Sequence, residues 1–207
     1  MAIFDSILLG KSKGSVGNVT TSRLKGQNVA KAKITSTTNV NSPGQQLSRA
    51  RMSNIVMAWQ FLAIFMVSAT ALRKSTESIY NAFVRGFKSG IPAVLAASRP
   101  AAAALLAGVE GLVGNFISVA CTSYVGTTAK FSLNTGGLPY VTGTSIRAIG
   151  FDSNTGEQKI IERFVTEVEW IEESVTVTDM LSAADMVGVY VYGTIENKCS
   201  NVLFAAV

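Results

Sequence analysis

Histidine is missing from all 207 residues. Its absence removes the commonest general base, the commonest metal ligand and the side chain that titrates near neutrality. Ser-His-Asp and Cys-His nucleophilic catalysis are thereby excluded. Cysteine is scarce, with only Cys121 and Cys199, and these have no CxxC spacing. They can pair if the fold brings them together. Two isolated thiols in a chain of this length are expected to be reduced and buried, which points to synthesis in the cytoplasm. Charge is also low, at 15% of residues against 48% hydrophobic, where an average domain carries about 25% charge. So few charges cover a free monomer poorly, and the composition implies surface buried in an assembly or a membrane. No Phe, Tyr or Trp lies between Asp5 and Asn54, which argues against base stacking by the N-terminal segment. The opening "MAIFDSILLGKSKG" contains an acid and lacks a basic n-region, so no secretory signal is expected.

What charge there is lies unevenly. Residues 1–54 hold eight Lys/Arg and one acid, a net of +7, and residues 55–108 hold five and one, a net of +4. Residues 109–207 hold five basic and eleven acidic residues, a net of −6. A basic front and an acidic back suit an N-terminal nucleic-acid contact. They equally suit head-to-tail packing of copies.

The chain is long enough to bury a core without disulfides or metals. Its pattern predicts an α+β protein: a basic β-hairpin arm and linker over 1–41, a helical region over 42–114, and an antiparallel β-sandwich over 115–207. In the arm, Val16–Arg23 and Asn28–Ile34 are Thr/Val-rich runs joined by "LKGQ", whose Gly26 supplies the positive φ a tight turn needs. Lys31 and Lys33 form a row on the second strand, with Arg23 and Lys25 near the turn. Such a row binds phosphates or simply guards a sheet edge. Gly10, Gly14 and Gly17 make no nucleotide-binding fingerprint, because no Walker lysine-serine follows them.

"STTNVNSPGQQ" is a linker ending in a helix start. Ser42 is placed to cap, Pro43 fits the first turn and Gln45 stands at the capping-box position. The helix is expected to run to about Lys74, with Met52, Ile55, Trp59, Leu62 and Met66 on its buried face and Gln45, Gln46, Arg49 and Arg51 solvated. Asn54–Leu72 is uncharged over nineteen residues, the threshold for a membrane span. A helix buried by protein is the preferred reading, since nothing else in the chain reads as a membrane protein. From Ser75 to Gly114 the pattern is helical but broken by Gly and Pro.

From Phe116 onward, short β-runs alternate with turn signals at Asn134–Gly137, Asp152–Gly156 and Glu196–Lys198. Six to seven strands at this spacing predict a sandwich or small barrel. Val187, Val189 and Val191 alternate with Gly188, Tyr190 and Tyr192, as in a half-buried strand near the middle of a sheet.

Candidate chemistry is thin. Glu167 and Glu169 are expected to share one strand face, with Val168 and Trp170 on the other and Glu172 and Glu173 close behind. Paired carboxylates run glycoside chemistry or hold a hard cation, but no supporting residue accompanies these, and a solvated strand face is the preferred reading. "DSNTG" from Asp152 lacks the later glutamate of a calcium loop and reads as a turn. No catalytic residue, cofactor or metal is expected.

The order of these features carries a resemblance. "GSVGNVTTSRLKGQNVAKAK" followed by "NVNSPGQQLSRARMSNIVMAWQFL" resembles the opening of a family of about 200-residue proteins of uncharacterised function from Bacteroidetes bacteria and their phages, whose hairpin reads GKVGNVV…(K/R)KG…V(I/V)R. Gly14, Val16, Gly17, Asn18, Lys25, Gly26 and Val29 fall on that pattern. Pro43, Gln45, Gln46, Arg49 and Arg51 fall on or near its helix start. "DMVGVYVYGTIENKCSNVLFAAV" is similar to the family's late strands. The resemblance covers about two-thirds of the chain and departs in the Ala-rich stretch from Ala97 to Gly114. It implies an immunoglobulin-like C-terminal sandwich and a phage or prophage origin, and transfers no catalytic residue. The resulting expectation is a non-enzymatic virion structural protein, made in the host cytoplasm, that assembles with itself and other virion proteins. Lys11, Lys13, Arg23, Lys25, Lys31, Lys33, Arg49 and Arg51 are its inter-subunit or genome contacts. The alternatives are a non-specific nucleic-acid-binding protein using the same cations, a membrane-associated protein anchored by residues 54–72, and a cell-surface adhesin built on the sandwich.

Overall fold

The computed structural model describes residues 2–4, 14–16, 19–24, 27–32, 41–69, 72–109, 114, 116–193 and 198–207. The chain divides into two compact units, Met1–Ser42 and Pro43–Val207.

The first unit is a four-stranded antiparallel sheet. Strands β1 (Ala2–Phe4), β2 (Gly14–Val16), β3 (Val19–Leu24) and β4 (Gln27–Ala32) lie in the order β1-β4-β3-β2. The expected hairpin is its centre, with a correction: Val16 belongs to β2 and pairs with Val19, so the first strand is Val19–Leu24. Leu24 pairs with Gln27, and the expected turn at Lys25 and Gly26 lies outside the described residues. The expected extension of the second strand to Ile34 lies outside the described residues.

The second unit has three layers. Helices α1 (Pro43–Leu62), α2 (Ile79–Phe87) and α3 (Arg99–Ala104), with a 3₁₀ turn at Phe65–Ser68, form the first. Ser78 and Ser98 cap α2 and α3 by accepting from the Asn81 and Ala101 amides. The middle layer is a five-stranded antiparallel sheet. In it β7 (Thr144–Phe151), β8 (Gln158–Phe164), β10 (Met186–Gly193), β11 (Lys198–Cys199) and β12 (Leu203–Ala206) run β8-β7-β10-β11, with β12 also pairing β10. The third layer is the sheet β5-β6-β9, from β5 (Ser118–Val125), β6 (Thr128–Asn134) and β9 (Ser174–Val177). A short helix, α4 (Glu167–Ile171), links β8 to β9.

Alternation along the central strands sorts side chains between two cores. Val187, Val189 and Val191 of β10 pack with Phe131, Leu133, Val175 and Val177 of the three-stranded sheet. Met186, Tyr190 and Tyr192 pack on the other face with Ile55, Leu62, Phe65, Phe83 and Phe87 of the helical layer. The expectation of a half-buried strand is therefore corrected: every residue of β10 is buried, because the helices cover its second face. Gly188 is required there, since a Cβ would stand 2.6 Å from the Phe204 ring and 2.8 Å from Ile149. β11 and β12 pair one edge of β10 in registers that differ by one residue. At that step the Ser200 amide donates to the Val191 carbonyl, and the Val191 amide donates to Ser200 Oγ at 2.8 Å. A side chain thus completes the ladder at a β-bulge.

The single helix expected from Ser42 to Lys74 is also corrected. α1 stops at Leu62 and the chain tightens into the 3₁₀ turn. Two carbonyls at this break are taken by the central sheet: Arg147 Nη2 donates to Ile64 O at 2.8 Å and Tyr190 Oη to Phe65 O at 2.6 Å. Ending a helix costs little where side chains satisfy the freed carbonyls. Of the expected buried face, Ile55, Leu62 and Met66 are fully buried while Met52 and Trp59 pack at the core's edge. Gln45, Gln46, Arg49 and Arg51 are exposed as expected.

Candidate functional site

The eight cations singled out in the sequence fall in different places. Lys11, Lys13, Lys25 and Lys33 lie outside the described residues. Arg23 is in β3 opposite Asn28, and its side chain is also outside them. Lys31, opposite Thr20 on β4, is exposed. Arg49 and Arg51 are exposed on the first turns of α1. They stand two residues apart, so they point to different sides of the helix and make no joint phosphate clamp.

The acidic residues occupy a different structure from the one expected. Glu167 and Glu169 do not share a strand face, because they lie in α4. Thr166 and Glu169 form a reciprocal capping box. Val165 and Trp170, both buried, stand at the two positions of a hydrophobic staple. Glu173, at φ 50°, turns the chain straight into β9. The Thr166-x-x-Glu169 spacing was the available signal for this helix.

These carboxylates have distinct environments. Glu169 accepts from the Arg163 guanidinium and from the Thr166 amide and hydroxyl, and Arg163 first, with those bonds, holds its pKa down to about 2. Glu173 accepts from the Thr135 hydroxyl and amide at 2.6 and 3.1 Å, which lowers its pKa. Glu167 and Glu172 are exposed, and their carboxylates make no hydrogen bond or ion pair to described residues. Beside them Phe164, Val168 and Ile171 are exposed. α4 is therefore an acidic and apolar ledge.

A second polar group joins the helical layer to the central sheet. Arg147 donates to Ser68 Oγ at 2.9 Å and to Glu162 at 2.7 Å, and Tyr192 donates to Glu162. Burial raises the pKa of Tyr192, and raises that of Tyr190 further. These phenols stay protonated donors, and with Arg147 they hold the 3₁₀ turn. The arrangement is a structural tie.

Neither Cys121, half-buried on β5, nor Cys199, buried on β11, is in a disulfide. Burial raises both pKa values, that of Cys199 to about 12. Asp152 accepts from the Asn154 and Thr155 amides, and Asp185 from the Ser153 amide and hydroxyl. The "DSNTG" loop is thus an internally satisfied turn. Among the described residues no group of three or more His, Cys, Asp or Glu could hold a metal ion. Nor, among them, is any helix long and apolar enough to cross a membrane.

No protein-family model matches the chain, and no curated protein matches its sequence.

Proposed function

We propose that this chain is a non-enzymatic structural subunit of a repetitive phage assembly, a capsid, connector or tail component, whose basic N-terminal arm contacts neighbouring subunits or the genome. The observation that carries the reading is charge segregation: +7 over residues 1–54 against −6 over residues 109–207. Copies of one chain whose basic and acidic segments are separate along the sequence attract one another. Exposed Lys31, Arg49 and Arg51 in the basic part, and exposed Glu167 and Glu172 in the acidic part, support it. So do large apolar side chains left at the surface at Ile64, Val67, Val94, Leu95, Phe164, Val168 and Ile171, the kind of surface that marks interaction sites.

The phage setting rests on the resemblance to the Bacteroidetes and phage family, and with it the virion as the protein's location. The resemblance also implies an immunoglobulin-like sandwich, and the strand order supports that finer reading. β5-β6-β9 faces β8-β7-β10-β12, which corresponds to strands A-B-E against C′-C-F-G of that fold. The inter-sheet disulfide of antibody domains has no counterpart, since neither cysteine is in a disulfide.

The test is the solution mass of the purified protein at low and high salt, with and without nuclease. Large nuclease-resistant oligomers support a self-assembling subunit. A monomer that becomes large only with nucleic acid favours the second reading, a genome-binding protein. The exposed cations support that reading, and it predicts non-specific affinity falling steeply with salt.

A further inference from the structure

Among described residues of the sandwich, three acids are neutralised by ion pairs: Glu162 with Arg147, Glu169 with Arg163 and Asp179 with Lys159. Glu167, Glu172 and Glu173 have no cationic partner among them and crowd into seven residues of α4 and its exit. On the same short helix Val168 is 63% and Ile171 73% exposed, and Phe164, at the end of β8 just before it, is 68% exposed. Val168 and Ile171, three residues apart, lie on one helix face. The ledge is not a loose surface loop. The capping box, the Val165–Trp170 staple, and the bond from Trp170 Nε1 to Leu138 O at 2.8 Å fix it to the sandwich. A rigid apolar face rimmed by unpaired carboxylates fits a basic partner that also offers apolar or methylene surface.

The chain contains such a partner. Residues 1–42 hold six Lys/Arg and one acid, a net of +5, with no aromatic residue after Phe4. Their four-stranded sheet exposes Lys31 on β4, opposite Thr20, and the methylenes of that lysine supply the apolar surface beside its charge. We infer that the α4 ledge of one copy is the docking surface for the N-terminal sheet of a second copy, with Lys31 placed against Glu167 and Glu172 and the apolar face of α4 covered. This rests on the assembly reading above and names its contact.

The test mixes two full-length proteins, Lys31→Cys and Val168→Cys, each carrying Cys121→Ser so that the one native thiol left is the fully buried Cys199, with one copy mass-tagged. The mixture is oxidised at low salt. The expected product is a tagged–untagged disulfide dimer. Its yield should fall about tenfold with Glu167→Lys/Glu172→Lys in the Val168→Cys partner. A similar loss is expected near 1 M salt, where the screening length is about 3 Å. Glu167 and Glu172 are exposed, so folding of that variant is checked by circular dichroism, and Glu167→Gln/Glu172→Gln provides a milder second version. Gln158→Cys, exposed at the start of β8 six strand residues before Phe164, is the control. The proposal is overturned if Gln158→Cys links to Lys31→Cys as well as Val168→Cys does. It is equally overturned if oligomers persist without any Lys31–Val168 link. In the last case assembly stands and only this contact fails. A monomer under every condition removes the assembly reading itself.

Discussion

Asn54 is fully buried, yet it sits in the middle of α1 and its side chain bonds only away from its own helix. Its Nδ2 donates to Pro92 O at 3.1 Å and Val94 O at 2.6 Å, and its Oδ1 accepts from the Ala96 amide at 3.0 Å. One side chain thus holds the loop that presents Val94 and Leu95 to solvent. Replacing it by leucine of similar size removes three bonds and leaves their backbone partners to find water. A net value near 1 kcal/mol per bond gives a loss of about 3 kcal/mol, lowered toward about 2 where the exposed loop rehydrates. In a unit of this size each kcal/mol moves the melting temperature by about 2–4 °C. Asn54→Asp is the sharper change. The carboxylate keeps the acceptor for Ala96 but faces two carbonyl oxygens, so its folded-state pKa is raised. The native state then binds more protons than the unfolded state, and stability is fully present at low pH and lost as pH rises through the raised value. The assay is urea unfolding followed by fluorescence of Trp59, which packs on Tyr80 and Phe83 in the same layer at 5.6 and 5.4 Å. If Asn54→Leu is within about 0.5 kcal/mol of the parent, or Asn54→Asp shows no fall in stability with pH, the loop is not held from α1.

Three further outcomes follow from the same packing. Gly114→Ala should unfold at clearly lower urea, since its Cβ would lie 2.1 Å from the Cys199 carbonyl oxygen and 2.3 Å from Ser200 C; overpacking against backbone costs about 1–3 kcal/mol, and unchanged unfolding would show that the bulge can shift. Glu169→Gln should flatten the acid limb of the stability curve. The lowered pKa of Glu169 gives stability present above the ordinary 4.5 and lost as pH falls toward about 2, so an unaltered acid limb would assign it to other carboxylates. Tyr190→Phe leaves the buried Phe65 carbonyl without its donor, at a cost of about 1–3 kcal/mol, measurable by thermal melting; a neutral result would mean water reaches that carbonyl.

The features legible in the sequence are the local ones. The β3–β4 pairing, the exposed start of α1 at Gln45 to Arg51, and the string of short strands after Phe116 each follow from spacing within about ten residues. The end of α1 was not legible. No glycine or proline stands at residues 63 and 64, and the bonds that end the helix come from Arg147 and Tyr190, separated from their partners by 83 and 125 positions. β10 misled because Tyr190 and Tyr192 read as polar-tipped outward residues. Their hydroxyls instead find partners inside, at Phe65 O and Glu162, so an amphipathic residue was buried whole. α4 was legible but hidden. Val168 and Trp170 alternate with glutamates as in a strand, while Thr166 and Glu169 stand at capping-box spacing. Where a two-residue alternation and a helix cap compete over five residues, the cap carries two definite hydrogen bonds and the alternation carries none by itself.

The acidic candidates therefore matter for a different reason than their number suggested. Hydrogen bonds from neutral groups, as Thr135 gives Glu173 and Ser153 gives Asp185, fix a carboxylate's position but leave its charge in the field. Ion pairs cancel it locally. Glu162, Glu169 and Asp179 are cancelled in that way, each by a cation from the neighbouring strand or loop. Uncancelled charge is then left at α4, beside exposed Val168 and Ile171, and at the loop of Asp152 and Glu157 with Asp185. At physiological salt the field of an exposed charge decays over about 8 Å. A basic arm approaching this unit is thus steered chiefly by the few carboxylates it meets directly. The salt dependence of assembly should accordingly respond to substitutions at Glu167 and Glu172 more than to equal changes of charge at Glu157, on the loop entering β8.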